Sequence, residues 1–250
     1  CNMNCLYCMP EEKEFMAKNH WASVDELCEI SSKLVVYGID EIRLTGGEPL
    51  LRPDFRKIVR GLSELPLSKF GLTTNGVHLG RELDFLRETS LQYLNISLDS
   101  LNEKTFEKVT QTKTFSSVYH SIVKAKSMGF KVKVNAVLMK GFNDTDEELN
   151  NFIEFSQKTG VEVRFLELMK IGVANHYFQK HFISAGEIIE RLKLNNRLEN
   201  KEMPKDSTSF NFLLPGGAEI GFIASESRPF CGHCSRLRLG ADGALRPCLF

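Results

Sequence analysis

Three strand-like segments of this chain carry polar residues at every second position. Arg43 and Thr45 alternate with Ile42 and Leu44; Asn95, Ser97 and Asp99 with Leu94, Ile96 and Leu98; Lys131, Lys133 and Asn135 with Val132, Val134 and Ala136. Successive side chains of a strand point to opposite faces, so one face of the sheet is apolar and the other is polar and largely cationic. Strands of a parallel sheet covered on both faces read instead as continuous apolar runs. Two architectures fit the alternation. One is an antiparallel sheet with a wet face, the other a curved sheet or barrel whose lumen holds a polar ligand in place of packed side-chain layers.

The order of the elements favours the second. Strand candidates are "DEIRLTGGEP", "KFGLTTNG", "QYLNISLDS", "FKVKVNAVLM" and "VEVRFLELM", and helical periodicity runs from Val24 to Tyr37, Phe55 to Leu65, Leu79 to Leu86, Phe115 to Met128 and Glu147 to Lys158. Gly38, Gly129 and Gly160 each follow a helix and precede a strand, where helix C-termini place glycine. Such βα alternation predicts an α/β fold with a parallel sheet. Five strands are visible, and a sixth is expected upstream of residue 1 if "CNMNC" is the loop that follows it. Beyond Met169 the pattern loosens: one amphipathic helix, Ala185 to Leu192, a charged loop, Asn195 to Asp206, and a hairpin, "SFNFLLPGGAEIGFIAS", turning at Pro215-Gly216-Gly217. The expected division is a barrel over 1–170 and a C-terminal region over 171–250.

Lysine plus arginine and aspartate plus glutamate number 32 each, so no global field draws the chain to nucleic acid or a membrane, and any anion site must be local. No apolar run approaches a membrane span and none resembles a signal peptide. A chain of 250 residues buries a core without staples, which gives its seven cysteines no structural excuse. Cys1, Cys5 and Cys8 cluster at one end, Cys231, Cys234 and Cys248 at the other; Cys28, on a helix, reads as a small buried apolar residue. Clustered cysteines in a chain of this kind favour metal over disulfides.

The spacing C-x3-C-x2-C can wrap a compact loop around a multi-iron cluster and leave one iron without a protein ligand. A zinc ion with a fourth ligand such as His20 is the plainer alternative. "LTGGEP", ending at Pro49, adds two glycines at a strand end, where backbone can approach a ligand closely, and Glu48 with Pro49 makes a rigid polar edge there.

Together, C-x3-C-x2-C with Tyr7 before the third cysteine and a GGEP strand end resemble the radical S-adenosylmethionine (SAM) superfamily. The resemblance narrows through "CNMNCLYCMP", "IRLTGGEPLLRPD", "GLTTNG", "LNISLDSL", "VKVNAVLMKGFND", "VRFLELM" and "CGHCSRLRLGADGALRPCLF" to the GTP 3′,8-cyclases of molybdenum cofactor biosynthesis, the MoaA type. It implies a partial (β/α)6, TIM-like radical SAM barrel with a C-terminal extension carrying a second iron–sulfur cluster. The implied activity is cyclisation of GTP to (8S)-3′,8-cyclo-7,8-dihydroguanosine 5′-triphosphate, begun by a 5′-deoxyadenosyl radical taking the ribose 3′ hydrogen.

Carried over residue by residue, the resemblance implies two 4Fe-4S clusters, one on Cys1, Cys5 and Cys8 with SAM, the other on Cys231, Cys234 and Cys248 with an iron open to substrate. It assigns SAM contacts to Tyr7, Gly47, Ser97 and Met169, and GTP contacts to Arg43, Thr73, Lys133, Arg236, Leu237 and Arg238, with Arg236 and Arg238 in a catalytic role. It further implies an electron donor, a downstream pterin-forming enzyme, a homodimer as an admissible assembly, and a cytoplasmic or, in a eukaryote, mitochondrial location. An upstream arginine and a C-terminal double glycine found in that family lie outside these residues. Two other readings compete: a peptide-modifying radical SAM enzyme with an auxiliary cluster, and a zinc-containing nucleic-acid-binding module. Neutral charge and the lack of stacked aromatics beside basic residues count against the latter.

Overall fold

A computed structural model describes residues 1–12, 14–204 and 207–249. Eight strands, β1 (Glu41–Leu44), β2 (Lys69–Thr74), β3 (Tyr93–Ser97), β4 (Lys131–Leu138), β5 (Glu162–Glu167), β6 (Glu199–Lys201), β7 (Phe210–Leu213) and β8 (Glu219–Ile223), form one sheet in the order β1-β2-β3-β4-β5-β8-β7-β6. Strands β1 to β5 pair in parallel, and β8 joins β5 in parallel. The antiparallel, wet-faced alternative therefore falls. The fold is a partial α/β barrel of six parallel strands extended by antiparallel β7 and β6. The hairpin turns at Pro215–Gly217 as expected, but its second strand is also the sixth parallel strand, which sequence patterning did not reveal.

Eight helices are described: α1 (Val24–Val36), α2 (Phe55–Ser63), α3 (Leu79–Arg87), α4 (Glu103–Thr110), α5 (Phe115–Ser127), α6 (Asp146–Thr159), α7 (Ala174–His181) and α8 (Ala185–Asn195). Capping boxes open α1 at Ser23 and Glu26 and α8 at Ser184 and Glu187, each satisfying N–H groups a helix start leaves unpaired. Two helices correct the reading of the sequence. α4 and α7 are eight residues each, too short to repeat an amphipathic period, although Asn102 caps α4 and Phe106 and Val109 bury one face of it. The span beyond Asn195 is not all loop, since β6 lies within it. Its Lys205 and Asp206, like Phe250 of the C-terminal motif, lie outside the described residues. Among the described residues no helix is long and apolar enough to cross a membrane.

The alternation seen in the sequence is the alternation of the barrel. Leu94, Ile96, Val134, Ala136 and Val163 are fully buried against the helices, while the residues between them are only half-buried. On that outer face Phe165 and Phe222, register partners on β5 and β8, sit 5.8 Å apart, and Phe152 of α6 meets Phe165 edge-on at 5.4 Å. Burying each ring is worth roughly 1.5–3 kcal/mol. Cys28 packs α1 on α2: a Cβ at Gly61 would lie 2.5 Å from its Sγ. It is a packing residue, as its helical position suggested.

Gly76, just past β2, has φ +79°, and a Cβ there would sit 2.9 Å from Ile96 Cγ2 and 3.1 Å from Val118 Cγ1. Backbone strain and overpacking each cost on the order of 1–3 kcal/mol. Gly76→Ala is therefore expected to lower the thermal midpoint by about 5 °C or more in a circular-dichroism melt; an unchanged midpoint would mean that this turn relaxes freely.

Candidate active site

The parallel register stacks the inward-facing side chains in layers. Arg43, Gly71, Tyr93 and Lys131 form the lowest. Thr73, Asn95, Lys133 and Glu162 form the next, and Ser97, Asn135, Arg164, Gly221 and Asn211 the third. Above them the strands end, and there, at the face where α/β barrels carry their sites, lies the cysteine loop.

That loop is held from three strand ends and one helix. Asn75, after β2, donates to Asn2 Oδ1 at 2.7 Å and to Cys1 Sγ at 3.7 Å. Tyr7 donates its hydroxyl to buried Asp99 at 2.9 Å, and Asp99 accepts the Val137 N–H at 3.0 Å. The Asn4 and Leu6 N–H groups reach the carbonyls of Thr110 and Val109, the terminal acceptors that α4 leaves open. At Gly47 a Cβ would stand 3.5 Å from Cys1 N and 3.7 Å from Cys1 Cβ, so glycine there keeps the strand end clear beside the loop.

Burial, then the Asp99 charge and Cys8, push the Cys5 thiol upward, and burial followed by Asp99 does the same to Cys8. Burial raises Asp99 itself to about 6, against the hydrogen bonds from Val137 and Tyr7. A coordinating cation reverses the balance for the thiols, because metal-bound thiol is deprotonated outright. Among the described residues no three His, Cys, Asp or Glu side chains converge as on a single ion. Three cysteines free of disulfides, spread along a loop that backbone bonds and a glycine hold open, suit a multi-iron cluster. His20 lies elsewhere, in a cavity beside α1 with Trp21, Glu26, Asp242 and Gly243.

Three further buried polar groups shape the mouth. Glu48 accepts from Leu50 N–H at 3.1 Å, Thr74 Oγ1 at 2.7 Å and Asn75 N–H at 2.7 Å, so its carboxylate joins β1 to β2 instead of facing the lumen. Glu167, ending β5, accepts the N–H groups of Ala185, Glu226 and Ser227 and the Ser227 hydroxyl. Asn135 Oδ1, beside Ser97, is buried without a hydrogen-bond partner, a vacant acceptor for a ligand O–H or N–H. Met169 follows β5 by two residues and Ser97 ends β3, so both stand at this mouth.

Lower in the lumen, Lys133 and Arg164 share Glu162, at 2.7 Å and 2.5 Å. The Arg43 guanidinium crosses β2 over Gly71, where a Cβ would be 2.8 Å from its Nη1. Burial, then repulsion from Arg164, lowers the Arg43 pKa, and the same two causes lower that of Lys133 against the pull of Glu162. Lys131, at the foot of β4, donates to the Tyr93 hydroxyl.

Near the other end of the chain, Cys231 lies on a 3-10 turn, and β9 (Arg238–Leu239) pairs with β10 (Leu245–Arg246), which returns the segment bearing Cys248 toward Cys234. All three cysteines are exposed. The Arg236 N–H and guanidinium, with Arg238, lower the Cys234 thiol. Arg236 also lies 4.9 Å over the Phe230 ring. Among the described residues neither Arg236 nor Arg238 ion-pairs with a carboxylate. The tip of this hairpin docks on the start of α1, Ala22 N–H donating to Ala241 O at 2.8 Å.

Sequence reasoning brought out Arg43, Lys133 and Asn135 by parity and the cysteines by spacing. It passed over Asn75, Glu162, Arg164 and Glu167. For Glu162 and Arg164 the signal was available, since they alternate with Val161, Val163 and Phe165.

Two family models together match nearly the whole chain. The "Radical SAM superfamily" model matches 1–155 and the "Molybdenum Cofactor Synthesis C" model 161–250. The chain is 45% identical over 249 residues to a GTP 3′,8-cyclase of Synechocystis sp., covering all of this chain and 76% of that protein, and 39% identical over 254 residues to one of Aquifex aeolicus, covering 79% of it. It is 40% identical over 255 residues to molybdenum cofactor biosynthesis protein 1 of Homo sapiens, of which it spans 40%. Among solved structures, Streptococcus suis SuiB bound to S-adenosylmethionine superposes with a TM-score of 0.63 at 18% identity, over 78% of this chain and 44% of that one.

Glu48→Gln keeps the shape but sets an amide NH2 against donors that now meet a carboxylate. A buried donor left unsatisfied costs about 1–3 kcal/mol, so urea unfolding of the metal-free protein is expected to shift to lower midpoint by that amount. A midpoint within error of the unmodified chain would show the Glu48 contacts to be dispensable.

Proposed function

The chain belongs to the radical SAM superfamily and, within it, to the GTP 3′,8-cyclases of molybdenum cofactor biosynthesis, and from that membership we propose how its residues share the reaction. The enzyme cyclises GTP to (8S)-3′,8-cyclo-7,8-dihydroguanosine 5′-triphosphate, with SAM and an iron–sulfur cluster as cofactors. Cys1, Cys5 and Cys8 would hold a 4Fe-4S cluster, which would supply the electron for reductive cleavage of SAM and so the radical chemistry at the ribose 3′ hydrogen. Tyr7, Gly47, Ser97 and Met169 hold SAM at the mouth, and the vacant Asn135 acceptor beside Ser97 takes one of its hydroxyl or amine donors. Arg43, Thr73 and Lys133 bind the triphosphate in the layers below.

The observation that carries this reading is the layering: thiols and polar acceptors at the strand ends, cations beneath. Two ligands of opposite demand can then meet end to end with the ribose between them, and fixed geometry of that kind is worth several orders of magnitude in rate. Arg236, Leu237 and Arg238 close on the nucleotide from the segment that follows β8, against the barrel. Cys231, Cys234 and Cys248 would hold a second 4Fe-4S cluster, which would supply a Lewis-acidic iron to the substrate. An electron donor, a downstream pterin-forming enzyme and a homodimeric assembly complete the proposal. SuiB with its precursor peptide has the same fold, with a TM-score of 0.65, but at 16% identity, a likeness of fold alone. Against a peptide substrate stands the cationic surplus that Glu162, shared by Lys133 and Arg164, leaves beside Arg43, which asks for a polyanion.

Purified without oxygen and reconstituted, the protein is expected to hold about eight irons, four per cluster, and to form 5′-deoxyadenosine as GTP is consumed. SAM cleavage with GTP untouched would favour the peptide reading, and about four irons would remove the second cluster. Arg236→Ala and Arg238→Ala should weaken GTP binding at least tenfold, about 1.4 kcal/mol, with iron content unchanged. Loss of iron in either variant would make the arginines structural.

A further inference from the structure

Glu162 stands where the triphosphate reading least expects a carboxylate. Its side chain is 11% exposed and gripped by Lys133 Nζ at 2.7 Å, Arg164 Nε at 2.5 Å and Asn211 Nδ2 at 2.9 Å. Asn211 is itself 2% exposed and spends its other N–H on Glu219 at 2.8 Å, which Lys201 neutralises at 2.7 Å. Gly221 makes this grip possible, since a Cβ there would stand 2.6 Å from Asn211 Oδ1 and 3.2 Å from Arg164 Cγ. Glu162 therefore cannot turn away without orphaning a donor.

The local charges do not balance. Glu162 faces Lys133 and Arg164, and Arg43 presses on Arg164 while its neighbour Glu41 is engaged by Lys69. Carboxylate and phosphate oxygens compete for the same guanidinium and ammonium donors. The cyclisation leaves the triphosphate intact, so affinity gained through it is shared by substrate, transition state and product, and beyond saturation only slows release.

Taking the lumen as the triphosphate site, as above, we propose that Glu162 is an internal surrogate for a phosphate group. It keeps Lys133 and Arg164 in place in the empty barrel and opposes the incoming triphosphate by like charge, holding nucleotide affinity down so that product can leave.

The test is anaerobic titration calorimetry on the reconstituted protein, with GTP, SAM and inorganic tripolyphosphate as probes. Glu162→Gln is expected to bind GTP and tripolyphosphate about tenfold more tightly, because a like charge is removed from a low-dielectric lumen. SAM affinity should not move, and inhibition by product should strengthen. Glu162→Asp, drawn back by one methylene, should fall between, and it decides the matter if the glutamine variant does not fold. Unchanged or weaker affinity in a folded variant would overturn the proposal, as would tightening toward GTP without tightening toward tripolyphosphate. If Arg43→Ala and Lys133→Ala leave GTP binding intact, the lumen reading itself fails. If they abolish it while Glu162→Gln brings no gain, only the surrogate role does.

Discussion

Buried carboxylates that accept backbone N–H groups hold this site together. Glu48 after β1, Asp99 after β3 and Glu167 at the end of β5 lie on alternate strands at one end of the barrel. Each accepts donors from the segment that must be fixed there: the turn after β2, the start of the final stretch of β4 together with Tyr7, and the chain leaving β8. Hydrogen bonds to an ionised acceptor contribute roughly 1.5–3 kcal/mol each, more than neutral ones, and their cost in burial is offset only while every donor stays in place. The result is a rigid rim over which a cysteine loop with little secondary structure of its own adopts a definite position.

Beneath the rim the barrel accepts an unusual electrostatic burden. A filled barrel packs its lumen with branched apolar side chains, whereas here a cationic layer persists because Glu162, Glu219 and Asn211 share out the charge. The surplus left unneutralised is what the proposed triphosphate would meet. Apolar residues on the other parity keep the sheet packed on its helices, so the fold can bear the polar interior without losing its core.

Much of this was legible because a strand's period of two writes the difference between lumen and core directly into the chain. Arg43, Lys133 and Asn135 could be placed inward from spacing alone, and C-x3-C-x2-C, read together with the GGEP strand end, resembled a cluster loop. α4 escaped because eight residues make little more than two turns, too few for the buried pair Phe106 and Val109 to read as a period, although its terminal carbonyls anchor that loop. The parallel placing of β8 was hidden for another reason: a hairpin announces its own antiparallel pair through its turn, but which third strand accepts its free edge depends on where the barrel is open.

Which residue types face inward and where the sulfur ligands cluster can be read from the chain directly, since both follow from local periodicity and spacing. Only the tertiary structure decided what neutralises what. That Glu162 serves Lys133 and Arg164, that Glu48 is spent on Thr74 and Asn75, and that Asp99 receives Tyr7 from ninety-two residues away are consequences of strand register. Register is set by packing across the whole sheet, where each pairing is fixed by its neighbours and none by its own residues alone.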